Sequence, residues 1–143
     1  MSEWVLLLGG STGHGAATAK KLAAAGYGII AFHFDRGEAK KIAEQTIAEV
    51  DKLSNGRCHY FNTNAASEET IDEYLPKISE ITKGKNLKLL LHSIAFGTTT
   101  NFFGDKPVTQ RQMDMTVHVM GNSLLYWTQK LYSAKLLDKG SRV

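Results

Sequence analysis

Residues 9–15 have the residue types and the spacing of a phosphate-binding turn. They read Gly-Gly-Ser-Thr-Gly-His-Gly and directly follow the apolar run 5–8. Gly9 would let the chain turn, Gly13 would let the backbone approach phosphate groups, and Gly15 would let the next helix pack close to the strand. Such a turn presents backbone N–H groups and the positive end of a helix to a pyrophosphate. The sequence therefore predicts a dinucleotide site here.

The other side chains of the turn fit the same interpretation. Ser11 and Thr12 can add hydroxyl donors, and His14 lies beside them in the same turn. Glycine-rich turns between a strand and a helix also occur for purely geometric reasons. The strand before this turn and the helix after it favour cofactor binding over that alternative.

Two charged residues follow the second apolar run and bear on the choice of cofactor. Asp35, twenty residues beyond Gly15, can hold the adenosine ribose hydroxyls of NAD, whereas Arg36 can hold the 2′-phosphate of NADP. Alternatively, both are solvated residues that open a helix, with Asp35 as its cap. The residues predict NAD or NADP and leave the choice open.

The elements that must position these residues alternate along the chain. Apolar runs at 5–8, 29–34, 58–61 and 87–91 predict four strands, and helical patterns follow at 16–25, 38–53, 67–84 and 109–137. Pro76 weakens the third helix, whereas Thr109 and Gln112 form a capping box for the fourth. This order predicts an α/β fold, a Rossmann-type doubly wound parallel sheet of about four strands. Residues 139–143 are interpreted as a turn and the first residue of a fifth strand.

Composition narrows the class of protein. The chain has 143 residues, 43% of them apolar and 22% charged, as in one globular domain. The net charge of +3 comes from scattered basic residues, which argues against nucleic acid as a partner. The single cysteine, Cys58, and the absence of metal-ligand spacing predict no metal site and a reducing compartment. With no basic leader and no long apolar segment, we expect a cytoplasmic protein without a membrane partner.

The Gly-x-x-x-Gly-x-Gly order resembles the short-chain dehydrogenase/reductase family. In that family the fourth strand ends in a short segment beside the cofactor, and here His92, Ser93, Ile94 and Ala95 stand in that place. Followed by Phe96, they resemble the enoyl-acyl-carrier-protein reductase branch, whereas the glycine turn is more similar to the ketoacyl reductase branch. The two parts therefore point to different substrates.

The resemblance also implies roles for four further residues. Asn62 and Thr63 fall where the family contacts the adenine, usually with Asp in place of Asn62. His33, rather than Asp35, falls at the acidic ribose position when no gap is introduced. His118 falls where many members carry an Asn that helps a proton relay, although a histidine packed against the sheet is an equal alternative.

The activity implied by the resemblance is NAD(P)H-dependent reduction of an acyl or carbonyl substrate, an enoyl or keto thioester. Two alternatives stay open: a short-chain dehydrogenase acting on an alcohol or sugar, and a non-catalytic nucleotide-binding module. The resemblance also implies that the helix at 109–137 joins copies of the chain into a homo-oligomer.

The family's catalytic Tyr and Lys follow the fifth strand. We therefore expect residues 1–143 to be the cofactor-binding portion of such an enzyme, without catalytic residues and inactive alone. Tyr126 and Lys130 match the family's Tyr-x-x-x-Lys spacing but lie in the helix before that strand. We interpret the match as coincidental, with Tyr126, Trp127 and Leu131 on an apolar helix face.

Overall fold

The computed structural model of the chain describes residues 3–143, in which four strands alternate with helices. The elements are β1 (Trp4–Leu8), α1 (Gly13–Ala24), β2 (Gly28–His33), α2 (Glu38–Leu53), β3 (Cys58–Asn62), α3 (Glu68–Thr82), β4 (Leu89–His92), α4 (Gln110–Val117), a π-helical turn (His118–Asn122) and α5 (Ser123–Ser133). The predicted α/β fold with a parallel, doubly wound sheet is confirmed. No helix of the described part is long and apolar enough to cross a bilayer.

The strands form one parallel sheet in the order β3-β2-β1-β4. Leu8 pairs with Phe32 on one side and with His92 on the other, and His33 pairs with Asn62. All four carboxyl ends therefore lie along one edge. Because the chain runs from β1 out to β3 and then returns to β4, its direction reverses beside β1, which is where α/β sheets bind ligands.

Both faces of the sheet are covered by helices. The side chains of β1 and β2 alternate between the faces, so Leu6 and Phe32 face α3 and α5, whereas Leu7 and Ile29 face α1 and α2. The first core contains buried residues of α3 and α5, namely Ile71, Ile78, Trp127 and Leu131. The second contains Ala19 and Ala23 of α1 and Val50 of α2. Small alanines let α1 lie close to the strands that carry the glycine turn.

Two of the predicted starting residues are wrong for local reasons. Helix α1 begins at Gly13 rather than at 16, since Ala16 N–H already bonds to the Thr12 carbonyl oxygen at 3.1 Å. Strand β4 begins at Leu89 rather than at 87, because Leu87 N–H donates to Leu136 O at 2.8 Å instead of to a strand.

The long helix expected at 109–137 is divided by the π-helical turn and ends at Ser133. The capping box of Thr109 and Gln112 is present, and Pro76 lies inside α3. The backbone leaves the helical conformation at Lys135, where φ is +56°. Arg142 then forms an isolated parallel bridge with Leu89, one residue before the predicted strand start.

Candidate functional site

A cleft of about 790 Å³ lies at the carboxyl edge of the sheet. Its walls come from the glycine turn, the segments that follow β2, β3 and β4, and the π-helical turn. The lining residues are Gly9, Ser11, Thr12, Gly13, His14, Phe32, His33, Phe34, Arg36, Thr63, Asn64, Ala65, Ala66, Ser67, Ser93, Ile94, Ala95, Phe96, Met115, His118 and Val119. A cleft of this volume is in the range of sites for small molecules and cofactors.

The three glycines predicted to shape the turn have different surroundings. Gly9 has a φ of +93°, and a Cβ there would overlap the Ser93 carbonyl oxygen. A Cβ on Gly15 would overlap the Gly9 carbonyl oxygen, so Gly15 brings the turn and α1 together and does not itself line the cleft. Gly13 has a φ of +55° and lines the cleft, and a Cβ there would meet no protein atom within 4 Å.

The amino end of α1 leaves positive charge facing the cleft. The first turn of any helix has N–H groups without intrahelical partners, and the helix dipole adds to their potential. Here the Thr12 side chain makes no capping hydrogen bond, and the first turn contains no acidic residue. Ser11, Thr12 and His14 all line the cleft. This arrangement is suited to an anion such as a pyrophosphate.

The end of β2 is organised around Asp35, which does not line the cleft. His33 Nδ1 donates a hydrogen bond to Asp35 Oδ2 at 2.7 Å. Asn62 Oδ1 accepts from Asp35 N–H, and Asn62 Nδ2 donates to Asp35 O, both at 3.0 Å. Asn62 thus fixes the Asp35 backbone and, like Asp35, lies outside the cleft lining. The alternative of Asp35 as a helix cap is wrong, because Gly37 occupies that position before α2.

Arg36, Thr63 and His33 lie on the cleft wall. The Arg36 guanidinium lies over the Phe34 ring, with its Cζ 4.8 Å from the ring centroid, a cation–π contact. Thr63 N–H donates to His33 O at 2.8 Å, which joins the ends of β2 and β3. A cation therefore stands at the end of the cleft formed by β2.

Only part of the stretch from His92 to Ala95 lines the cleft. Ser93, Ile94 and Ala95 line the cleft, whereas His92 does not. The Ser123 hydroxyl donates to Val119 O at 2.7 Å, so its oxygen accepts from His92 Nε2 at 2.8 Å. Burial lowers the pKa of His92, which favours the neutral imidazole. His92 thus joins β4 to α5.

His118 is the first residue of the π-helical turn and lines the cleft. Its Nε2 donates to Ala66 O at 2.9 Å, so it contacts the segment after β3. Trp127 Nε1 donates to Ala65 O at 2.7 Å. The two bonds hold residues 64–67 in the cleft wall. π-Helical turns are frequent at functional sites because they displace side chains from the regular helix.

Sequence reasoning missed residues 64–67 of the cleft, together with Met115 and Val119. A usable signal was present for the first group. Asn64 follows β3, and its Oδ1 accepts from Ala66 N–H at 3.0 Å, a local turn that Asn favours. Segments after parallel strands share one edge, so this turn belongs beside the glycine turn. Met115 and Val119 carried no comparable signal.

Tyr126 and Lys130 lie on α5 and do not line the cleft. Lys130 Nζ donates to Asp72 Oδ1 at 2.7 Å and lies 3.8 Å from Glu68 Oε1, and its bond to Asp72 raises the pKa of Lys130. Trp127 and Leu131 are fully buried, but Tyr126 is 40% exposed, so the prediction that it shares their apolar face is wrong. Across residues 3–143 no cluster of His, Cys, Asp or Glu could hold a metal ion.

Comparison with known proteins identifies a family. Residues 3–142 match the sequence profile described as short chain dehydrogenase. No curated protein sequence matches the chain. A short-chain dehydrogenase/reductase from Serratia marcescens superimposes with a TM-score of 0.77 at 21% identity, over 98% of this chain and 53% of that one.

Two further solved structures have similar folds. The 3-oxoacyl-acyl-carrier-protein reductase of Brucella melitensis, in complex with NAD, gives a TM-score of 0.75 at 21% identity, over 95% of this chain and 50% of that one. A variant of the actinorhodin polyketide ketoreductase, with NADPH, gives 0.76 at 16% identity, over 94% and 48%. The chain spans about half the length of these structures. From the profile match over nearly all of its residues, the chain belongs to the short-chain dehydrogenase family.

Proposed function

We propose that this chain binds NAD(H) or NADP(H) in the cleft, as the cofactor-binding portion of an oxidoreductase. The observation that carries the proposal is the amino end of α1, which faces the cleft without a capping side chain or an acidic residue. This end of a helix attracts anions, and a dinucleotide presents a pyrophosphate.

The residues present fit such a cofactor. At Gly13 the backbone meets no protein atom where a side chain would begin, so a phosphate can approach the N–H groups of the turn. Ser11 and Thr12 would donate hydroxyl hydrogen bonds to the same phosphates. At the other end, Arg36 and Thr63 would contact the adenosine half. We propose the same binding role for His14, Ser93, Ile94 and Ala95 from their places in the wall.

A bound nicotinamide would supply hydride transfer to or from a substrate carbon. The chain's own contribution is to hold and orient the cofactor. Ser93, Ile94 and Ala95 lie at the β1–β4 end of the cleft, and the turn at Gly13 would hold the phosphates between them and Arg36. His118, also in the wall, donates its Nε2 proton to Ala66 O, so it orients the segment after β3. We assign no catalytic residue within this chain.

For the substrate we propose an enoyl or keto thioester. The support is the His92–Phe96 segment and the glycine turn, which resemble the enoyl and ketoacyl reductase branches. Two of the similar structures are named as a 3-oxoacyl-acyl-carrier-protein reductase and a polyketide ketoreductase. An alcohol or sugar substrate is the alternative within the family. Lys130 is held in an ion pair and does not line the cleft. This favours a non-catalytic, nucleotide-binding role for residues 1–143 when they act alone.

We also propose that copies of the chain associate through α4, the π-helical turn and α5. Met113, Val117, Met120 and Leu125 are exposed apolar side chains on these elements, with Leu125 54% exposed. Apolar surface of this kind gains stability when a second protein surface removes it from water.

Calorimetric titration of the purified chain with NADH and with NADPH tests the cofactor proposal. We expect saturable binding of at least one of the two, with one site per chain. The absence of binding to both, in a chain shown by circular dichroism to be folded, would contradict the proposal.

A further inference from the structure

Assuming the cofactor site proposed above, we propose that His33 and Asn62 make it selective for the 2′-phosphorylated dinucleotide, NADP(H). They do so by holding the Asp35 carboxylate away from the cleft. In this account His33 and Asn62 are positioning residues, and Arg36 is the residue that contacts the phosphate.

A carboxylate at the end of β2 decides between the two cofactors by charge and hydrogen bonding. When it faces the adenosine ribose, it accepts hydrogen bonds from the hydroxyl groups of NAD(H) and repels the phosphate of NADP(H). Asp35 lies in this part of the chain. The direction in which the Asp35 carboxylate points therefore bears on the cofactor preference more than its presence in the sequence does.

Two independent restraints fix the direction of Asp35. The carboxylate accepts from His33 Nδ1 at 2.7 Å, and only 14% of the Asp35 side chain is exposed. The backbone on both sides of its Cα is held by the Asn62 amide, which accepts from the N–H and donates to the carbonyl oxygen at 3.0 Å each. An Asp at position 62 could accept but not donate, so it would lose half of this pair.

The charge of the cleft wall agrees with a more anionic ligand. Within residues 3–143, the lining of the cleft includes no Asp and no Glu, and its one formally charged side chain is Arg36. Arg36 lines the cleft with its Cζ 4.8 Å from the Phe34 ring centroid, a contact that restrains the guanidinium beside the site. A guanidinium binds phosphate through two parallel hydrogen bonds, which a ribose hydroxyl cannot match.

The test is calorimetric titration of the folded chain and its variants with NADPH and NADH. We expect the parent chain to bind NADPH about tenfold or more tightly than NADH, since one charge-assisted contact is worth that much. Arg36→Ala should weaken NADPH binding much more than NADH binding and so remove most of this preference. Equal or tighter binding of NADH by the parent would overturn the inference.

Release of Asp35 should reduce the preference for NADPH through its charge. His33→Ala and, separately, Asn62→Ala should weaken NADPH binding severalfold and leave NADH unchanged or tighter. The double variant His33→Ala/Asp35→Asn should recover the NADPH affinity, because the freed side chain then carries no charge. His59→Ala on β3, outside the cleft lining, is the control for loss of a histidine and should change neither affinity.

The single variant Asp35→Asn distinguishes a carboxylate that faces the adenosine ribose from one that is held by His33. It does so even if the His33 variant does not fold. We expect the parent's preference for NADPH to persist. A large loss of NADH binding in Asp35→Asn would show that the carboxylate holds the ribose, which overturns the inference and leaves the cofactor site intact. Failure of the parent chain to bind either cofactor would instead contradict the proposed function.

Discussion

Tyr126 and Lys130 lie one helical turn apart on α5, outside the cleft lining. The Lys130 ammonium lies between two carboxylates of α3, with its shorter contact to Asp72 at 2.7 Å. Such an exposed ion pair adds little to stability, because water screens it. A lysine that assists a catalytic tyrosine must instead lower the pKa of that tyrosine from beside a bound substrate. Spacing along a helix cannot distinguish these two roles.

We therefore predict that the chain alone does not reduce crotonyl or acetoacetyl thioesters and that Tyr126→Phe changes nothing catalytic. Loss of a general acid typically lowers a rate by about 10²–10⁴, and no lining residue of the described cleft is a tyrosine or lysine. The measurement is the loss of reduced-nicotinamide absorbance with each thioester. Clear turnover by the parent that disappears in Tyr126→Phe would make Tyr126 and Lys130 the active pair.

At the scale of elements, the position of α1 depends on the absence of a side chain at Gly15. A Cβ there would overlap the Gly9 carbonyl oxygen, which belongs to the backbone and cannot move without displacing the turn. Gly9 is itself fixed, because its N–H and that of Gly10 both donate to Phe32 O, at 2.9 and 3.0 Å. The glycine turn and α1 are thus one packing unit.

Gly15→Ala should lower the free energy of unfolding by about 1–3 kcal/mol, the usual cost of overpacking. Gly121→Ala is the matched control, because a Cβ at Gly121 in the π-helical turn meets no atom within 4 Å and its φ is not positive. That change should be neutral or stabilise the chain by about 0.4–1 kcal/mol. Urea denaturation measures both. Equal stability of Gly15→Ala and the parent would contradict the packing of α1 on the turn.

The elements that the sequence predicted best are those whose signals are local. β1, the glycine turn and the capping box of Thr109 and Gln112 each depend on residues within a few positions of one another. The missed features depend on distant partners. Asn62 reaches Asp35 across 27 positions, His92 reaches Ser123 across 31, and no periodicity along the chain records such pairs. The sequence therefore predicted the edge of the sheet on which Asp35 and His92 lie, but not that both lie outside the cleft lining.

Across the molecule, the central strands β1 and β2 are buried on both faces of the sheet, whereas a helical surface is exposed. This surface consists of Met113, Val117, Met120 and Leu125. It lies on the elements expected to join subunits, and the elements of the glycine turn take no part in it. Association through it would leave β1 and the turn in place.

We predict that the chain is a dimer or a larger oligomer at micromolar concentration. Met120→Lys should shift it towards monomer, since a charged side chain would have to be desolvated in the interface. Ile42→Lys is the matched control, because Ile42 is also an exposed apolar side chain, 54% exposed against 46% for Met120, but lies on α2. Sedimentation equilibrium measures both. A monomeric parent chain, or equal effects of the two lysines, would contradict this interface.

Calorimetry of one pair of glycine variants measures whether a dinucleotide binds against the amino end of α1. Gly13 and Gly84 both have positive φ, +55° and +69°, and at both a Cβ would meet no protein atom within 4 Å. Gly13→Val and Gly84→Val therefore impose similar backbone strain, but only the first places a side chain in the cleft.

We predict that the parent chain and Gly84→Val bind the preferred cofactor with the same Kd. Gly13→Val should show no measurable binding while remaining folded by circular dichroism, because its side chain occupies the place of the phosphates. Binding by Gly13→Val with the Kd of the parent would contradict the site.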